Sequence, residues 1–233
     1  MNKLYKLLLG FIFTLAIFLR VKVYFAGHSL WLDECSLAMS IINNKFIGAL
    51  EYGQASPSGF LLISKLSTLF FGISEKALRL IPFLSSILAV FAFYYLTTIF
   101  LKKKYSIIFA NFLFGVNYYL IYYAQEFKQY SSDVLIAILL LIFISKSNFS
   151  SKSIKQFFFI GVLFSVVFWF SFTSIFVFAG LLGVLTFKYF REYKKILSLI
   201  FPFLLNLGFY YIFHLTKLLK YQSDFSFWQE GFV

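Results

Sequence analysis

The chain alternates long apolar runs with short polar segments along its whole length. Several runs approach the roughly 18 to 20 apolar residues that a helix needs to cross a bilayer. A shorter run at residues 57–72 starts at a proline and has Lys65 near its middle, which suits a surface helix better than a span. The pattern predicts an all-α polytopic membrane protein with about seven transmembrane helices plus interfacial helices in an outer loop at residues 26–79. The predicted spans are residues 4–25, 80–101, 105–123, 131–145, 156–170, 173–188 and 196–214.

The composition agrees with a membrane protein. Of the 233 residues, 61% are hydrophobic and 13% are charged, and the mean hydropathy is +0.85. A soluble domain is closer to half apolar and a quarter charged. The first run follows basic residues, as in a signal peptide, but it is longer and lacks a small-residue cleavage site, so we interpret it as a retained span. Residues 1–233 are interpreted as a single transmembrane module.

The basic residues indicate an orientation. With a cytoplasmic N-terminus and a 57–72 run that does not span, twelve of the 21 basic residues fall in cytoplasmic segments together with one acid, Glu192. If the run spans the membrane, the later lysine clusters lie on the side opposite the N-terminal lysines, which is against the positive-inside rule. We therefore expect a multi-pass protein, in the inner membrane if the host is bacterial, whose remaining acids face outward. The net charge of +12 is then a basic edge that attracts membrane lipid, and nucleic-acid binding is not predicted.

Two adjacent acids follow the first span, in the segment SLWLDECSLAMS at residues 29–40. Asp33 can cap the following helix, because a carboxylate accepts hydrogen bonds from the exposed amides of a first turn. Cap and first-turn roles alone would account for both Asp33 and Glu34. The predicted helix lies on the membrane surface and places four residues on one face: Cys35, Ala38, Ile41 and Ile42.

A third acid stands at the membrane boundary. Glu126 follows the aromatic run VNYYLIYYAQ, where an ionised side chain costs a few kcal/mol unless it is paired or hydrated. A salt bridge to Lys128, or capping of the next helix, would explain it without any function. Asp133 is another candidate cap for that helix.

Basic residues near the outer ends of the first two spans have two interpretations. Lys76 and Arg79 are three positions apart and share a helical face, which suits phosphate binding near the headgroups. Interfacial snorkelling explains either of them equally well. For Arg20 and Lys22 we favour snorkelling.

Three segments in order then resemble a known family: LWLDE after the first span, LFFGISEKALRLIPFLSS before the second, and LIYYAQEFKQYS after the third. Over about residues 28–135 they resemble the GT-C membrane glycosyltransferases. The branch most similar is that of the dolichyl-phosphate-mannose protein mannosyltransferases and the bacterial lipid A aminoarabinose transferases. The resemblance implies inverting transfer of a sugar from a polyprenyl-phosphate-linked donor to an acceptor, a lipid, glycan or protein, outside the cytoplasm.

The resemblance also implies roles for individual residues. Asp33 is the candidate base, Glu34 its neighbour that orients the acceptor or a metal, and Glu126 the second acidic site. Arg79 matches a recurring arginine before the second span. The candidate substrate- or phosphate-binding residues are Lys76, Arg79, Lys128 and Tyr130.

The chain also departs from the family pattern. Some relatives carry an acid and a lysine before the proline that opens the interfacial helix, but here the stretch GQASPSG is uncharged. No metal site is therefore assigned, His28 and His214 are interpreted as interfacial residues, and a need for a divalent cation is left open.

The short length of the chain leaves other functional interpretations open. Family members usually carry more spans and often a soluble outer domain, so the chain is expected to be the N-terminal part of the family architecture. A non-catalytic fragment that binds polyprenyl phosphate is one alternative. A transporter or flippase is disfavoured, because we expect the spans after the first to be nearly free of buried polar side chains apart from Asn111 and Asn206.

Overall fold

A computed structural model of the protein describes residues 3–43 and 56–216. Within these ranges all regular elements are helical, which confirms the all-α class for the part of the chain described. Short 3-10 turns follow some of the α-helices, at Tyr123–Gln125, Phe149–Ser151 and Phe190–Glu192, and a π-turn covers Tyr211–Leu215. The α-helices are α1 Lys3–Ala26, α2 Leu32–Asn43, α3 Ser58–Phe71, α4 Glu75–Phe100, α5 Lys104–Val116, α6 Tyr118–Tyr122, α7 Tyr130–Lys146, α8 Ile154–Phe168, α9 Ser174–Lys188 and α10 Tyr193–Tyr210.

Three segments in the described ranges are long and apolar enough to cross a membrane: Lys3–Ala26, Glu75–Phe100 and Phe190–Phe213. A fourth span results if α5 and the following Tyr118–Gln125 cross as one bent pair. These helices indicate a membrane protein. The other predicted spans coincide with α7, α8 and α9, which have 17, 15 and 15 residues and are short for a straight crossing. The count of seven spans stays a prediction.

The helices form two compact units, and α2 and α3 each cross the boundary between them. The first unit comprises the described residues of Met1–Ala38 and Ile63–Ser147, and the second those of Met39–Leu62 and Asn148–Val233. In the first unit, Ala89 and Leu96 of α4 pack against Ile138 of α7. The single-module interpretation of the chain stays a prediction.

The second unit is built mainly on the pairing of α8 with α10. A β-carbon at Gly161 of α8 would overlap the carbonyl oxygen of Leu199 and the ring of Pro202, both on α10. Glycine at this position therefore allows the two helix backbones to approach closely.

The predicted span at residues 105–123 is wrong as a continuous helix, because the chain bends by 53° between α5 and α6. Asn117 lies at the bend with an extended backbone, and its side-chain oxygen accepts a hydrogen bond from the Leu120 amide, 3.1 Å away. An asparagine side chain that bonds to a nearby amide competes with the helical backbone and starts a new helix. Hydropathy alone does not reveal this break, since apolar residues surround it.

Arg20 holds the bend in place from α1. Its side chain is fully buried, and its Nε donates to Ser86 Oγ on α4 at 2.8 Å. One terminal nitrogen donates to the carbonyl oxygens of Ala16 at 2.9 Å and Gly115 at 3.0 Å. Gly115 lies one residue before the end of α5, where carbonyl groups lack helical partners, and Ser86 Oγ in turn donates to the Leu120 carbonyl of α6 at 3.2 Å. The snorkelling interpretation of Arg20 is therefore wrong.

Arg20→Leu is expected to destabilise the protein. The substitution leaves the Gly115 and Ala16 carbonyls without this donor, and one buried unsatisfied group costs about 1–3 kcal/mol. Equilibrium unfolding in detergent micelles, followed by circular dichroism, measures the change. Lys22→Leu is the control, since Lys22 is exposed on the same helix and such substitutions change stability by about 0.5 kcal/mol or less. Equal losses in both variants would contradict the role given to Arg20.

Buried polar side chains are more numerous in the first unit than expected from the sequence. Asp133 lies in the first turn of α7 and is 9% exposed. The Ser85 hydroxyl of α4 lies 3.1 Å from the Ser132 hydroxyl of α7, and Thr97 donates to the carbonyl of Tyr94. Serine and threonine hydroxyls bond to helix carbonyls at little cost in hydropathy, so a hydropathy profile overlooks them.

Candidate functional site

The first turn of α2 places the two adjacent acids in different positions. The helix begins at Leu32, so Asp33 lies inside the first turn and the expected cap role for Asp33 is wrong. The carboxylate that reaches back is that of Glu34, whose Oε2 accepts the Trp31 amide at 3.0 Å. An acid at the third helical position that bonds to the amide just before the helix forms half of a capping box.

The buried face of α2 also differs from the expected one. Of the four residues predicted to share a face, Ala38 and Ile41 are buried, at 4% and 1% exposure. Cys35 is exposed, and Leu37 is buried at 3% exposure. The face is therefore rotated away from Cys35.

Glu34 is the centre of a buried hydrogen-bond network. Its side chain is 1% exposed and forms a two-pronged ion pair with Arg79 of α4, at 3.2 Å from Nε and 2.8 Å from a terminal nitrogen. It also accepts the backbone amide of Phe127, in the loop after α6. A buried carboxylate is stable only where charge and hydrogen bonds compensate its lost hydration, and here both are present. Glu34 therefore joins α2, α4 and the loop at residues 126–129.

Arg79 is fully engaged by protein groups. Besides Glu34, its terminal nitrogens donate to the carbonyl oxygens of His28 and Ser29, which precede α2. Lys76 shares the helical face but has other surroundings, since its ammonium lies 5.2 Å from the ring centre of Phe25 at the end of α1. The structure does not bring Lys76 and Arg79 together as one cationic site. Phosphate binding by either residue stays a prediction.

Asp33 is the accessible member of the acid pair. Its side chain is 77% exposed, and Oδ2 lies 3.3 Å from the Lys128 ammonium. An ion pair this exposed contributes about 0–1 kcal/mol to stability. Asp33 can therefore contact a ligand without disturbing the fold.

Glu126 is half-buried in the loop that follows the bend. Burial raises the pKa of its carboxyl, and the negative charge of Glu34 adds to the rise. The hydrogen bond with the Tyr122 hydroxyl and the cations Lys128 and Arg79 act in the opposite direction. The net effect is a raised pKa, which favours the uncharged form of Glu126.

The alternatives that would give Glu126 a purely structural role do not hold. The side chain of Lys128 pairs with Asp33 rather than with Glu126. Helix α7 begins at Tyr130 after Gln129, so neither Glu126 nor Asp133 occupies the cap position.

Stability is expected to depend on pH through Glu126. Because its pKa is raised on folding, its contribution is fully present below 4.5, its ordinary value, and is lost as the pH rises through the raised pKa. The unfolding midpoint of the wild type, minus that of Glu126→Gln, should fall as the pH increases from about 4.5. Thermal unfolding of both chains across this range measures the difference. A difference that is flat or grows with pH would contradict the burial of this carboxyl.

Two adjoining cavities open between these residues in the first unit. Trp31, Tyr122 and Glu126 line both. The first cavity has a volume of about 490 Å³, and its lining adds His28, Ser29, Arg79 and Gln125. The second has a volume of about 340 Å³, and its lining adds Asp33, Glu34, Lys128 and Tyr130. The structure thus brings the predicted site residues together except Lys76, which lines neither cavity.

Among the lining residues that sequence reasoning missed are Tyr122, Trp31 and Gln125. Tyr122 stands four positions before Glu126, a spacing that brings side chains together on a helix, and could have been paired with it. Trp31 and Gln125 carried no signal of their own. In the part of the chain that the structure describes, no three His, Cys, Asp or Glu side chains form a group that could hold a metal ion.

The chain matches no protein-family model, no curated protein and no solved structure. The resemblance of three short segments to GT-C enzymes stays a prediction.

Proposed function

We propose that the protein is a GT-C-type membrane glycosyltransferase that moves a sugar from a polyprenyl-phosphate-linked donor to an acceptor hydroxyl. The observation that supports this most is the accessible Asp33 carboxylate on the second cavity, held next to the rigid Glu34–Arg79 ion pair. A base that must meet an external hydroxyl has to be exposed, whereas its supporting frame has to be fixed.

The reaction is a single displacement at the anomeric carbon. Asp33 accepts the proton of the acceptor hydroxyl as its oxygen forms the new bond to that carbon. The bond between the carbon and the phosphate oxygen breaks, and its electron pair leaves with the polyprenyl phosphate. One displacement inverts the configuration. The Lys128 ammonium, 3.3 Å from Asp33, is placed to stabilise the negative charge of the leaving phosphate.

The other acids have different roles in this proposal. Glu34 acts through position, because its carboxylate is already bonded to Arg79 and to two backbone amides. Glu126 is a half-buried hydrogen-bonding group that faces both cavities. These roles separate a catalytic residue, Asp33, from the positioning residue Glu34.

The proposal includes seven spans, a cytoplasmic N-terminus and cavities on the outer face. In the first unit, Lys104 at the start of α5 lies over the ring of Tyr5 near the start of α1. Lys146 at the end of α7 likewise lies over Tyr95 near the end of α4. Four helix ends thus share a lysine-rich side, while Asp33 and Glu126 belong to the opposite ends. The positive-inside rule assigns the lysine-rich side to the cytoplasm.

The test is release of polyprenyl phosphate from a radiolabelled polyprenyl-phosphate sugar by the purified protein in phospholipid vesicles. A crude envelope extract supplies the acceptor, and Asp33→Asn is the matched control. Acceptor-dependent release by the wild type alone is expected. Donor lipid that binds without release from a folded protein would replace the proposal with a non-catalytic binding module, and equal release by both chains would remove Asp33 as the base.

A further inference from the structure

A buried side-chain oxygen of the first cavity's wall has no hydrogen-bond partner among the described residues. Gln125 ends the 3-10 turn after the bend and is only 9% exposed. Its side-chain oxygen is inaccessible and accepts no hydrogen bond from the residues that the structure describes. An unpaired buried acceptor costs free energy in the empty protein. Because Gln125 lines the first cavity, a rotation of its amide would bring this oxygen to a ligand donor and recover the cost.

The first cavity is lined by polar groups and aromatic rings, and Arg79 in this lining is already paired with Glu34. Arg79 already donates to Glu34 and to two carbonyl oxygens. The other polar side chains of the lining are those of His28, Ser29, Tyr122, Gln125 and Glu126, and the Trp31 ring adds an apolar surface. An anionic group placed here would meet Glu126 without a compensating charge. The volume of the first cavity, about 490 Å³, is in the usual range for small-molecule sites.

Hydroxyl groups suit this lining without adding charge. A ring hydroxyl can donate to the Glu126 carboxyl or accept from the Tyr122 hydroxyl, both of which line the first cavity. Lys128, whose side chain is 19% exposed, lines the second cavity rather than the first. The two cavities therefore differ in their cations: Lys128 of the second can pair with a phosphate, whereas the first suits a neutral group rich in hydroxyls.

We propose that the first cavity is a subsite for an uncharged, hydroxyl-rich ring and that Gln125 is its specificity-determining residue. With its amide turned toward the cavity, the Gln125 oxygen accepts a hydrogen bond from one ring hydroxyl, and Glu126 bonds to another. This inference rests on the proposed function, in which the ring is a sugar whose phosphate lies toward Lys128 in the second cavity.

Direct binding tests the subsite without any turnover. The probes are a panel of methyl pyranosides and their monodeoxy analogues, with the protein in phosphatidylcholine nanodiscs and binding followed by saturation-transfer NMR. The wild type is expected to bind at least one pyranoside, and loss of one particular hydroxyl should weaken binding about 10-fold or more. Gln125→Met should weaken the parent pyranoside by a similar factor and abolish the preference for that hydroxyl. Inorganic phosphate should not compete.

The controls separate ligand binding from folding. Gln156→Met makes the same substitution in the second unit, where Gln156 closes a capping box at the start of α8, and should leave pyranoside binding unchanged. Gln125→Met should keep or raise the unfolding midpoint, because it removes an unpaired acceptor, whereas a structural role would predict a lower midpoint. If the variant does not fold, the monodeoxy series on the wild type still decides the question.

Three results would overturn the subsite: no pyranoside binds the wild type, all monodeoxy analogues bind as well as the parent, or Gln125→Met binds like the wild type because only water occupies the amide. Competition by phosphate would overturn its neutral character. Binding that depends on Gln125 in a protein without transfer activity would leave the subsite standing and reject the enzyme. If Gln125→Met transfers sugar with an unchanged KM for the donor, the enzyme would stand and the subsite would be rejected.

Discussion

Glu34→Gln is expected to lower the free energy of unfolding by about 3–5 kcal/mol, the usual cost of removing one partner of a buried ion pair. The substitution leaves the Arg79 guanidinium, which is 5% exposed, without its counter-charge. It also weakens the acceptor that fixes the amides of Trp31 and Phe127. The loss is large because one carboxylate holds the start of α2, the first turns of α4 and the loop after the bend.

Unfolding in detergent micelles, followed by circular dichroism, measures this loss. Glu75→Gln is the control, since Glu75 is an exposed acid in the first turn of α4 and such a residue contributes about 0.3–1 kcal/mol. The double variant Glu34→Gln, Arg79→Met should recover part of the stability, because it removes the uncompensated charge. Similar losses for Glu34→Gln and Glu75→Gln, or an additive double variant, would show that the pair is not coupled.

Asp33→Asn is expected to reduce sugar transfer by about 10²–10⁴-fold, the usual contribution of a general base. Asparagine keeps the size of the side chain but cannot accept the acceptor's proton. Since Asp33 is 77% exposed and its pairing with Lys128 is weak, the unfolding midpoint should stay close to that of the wild type. Activity and stability thus separate at Asp33, and they fall together at Glu34.

Initial rates of polyprenyl-phosphate release at saturating donor, beside the unfolding curve of each chain, measure this separation. Glu192→Gln is the matched control, because Glu192 is also an exposed acid in an ion pair, with Lys195 at 2.7 Å, and belongs to the second unit. It should retain the wild-type rate. If Asp33→Asn transfers sugar at the wild-type rate, another acid is the base. If its unfolding midpoint is clearly lowered, Asp33 has a structural role.

The helices were predictable because their signal is local. Apolar runs of sufficient length determine where each helix lies, and the predicted runs agree with α1, α4 and α7 to α10 within a few residues. The bend at Asn117 was missed although its cause is local too, since one asparagine changes a hydropathy window very little. Arg20 was misinterpreted because its partners on α4 and α5 are 66 and 95 positions away. Nothing near Arg20 in the chain distinguishes a snorkelling arginine from a buried one.

The sequence by itself determined an all-α membrane protein and identified most of the candidate residues. It could do so because composition, apolar runs and motif order are properties of the chain alone. Only the tertiary structure decided which of the two adjacent acids is exposed and which is buried. Successive residues on a helix point about 100° apart, so Asp33 and Glu34 face different surroundings. Which of them faces Arg79 depends on how α2 is rotated against α4, across 45 positions of sequence. Long-range packing sets that rotation, and with it the separation of an accessible base from its buried support.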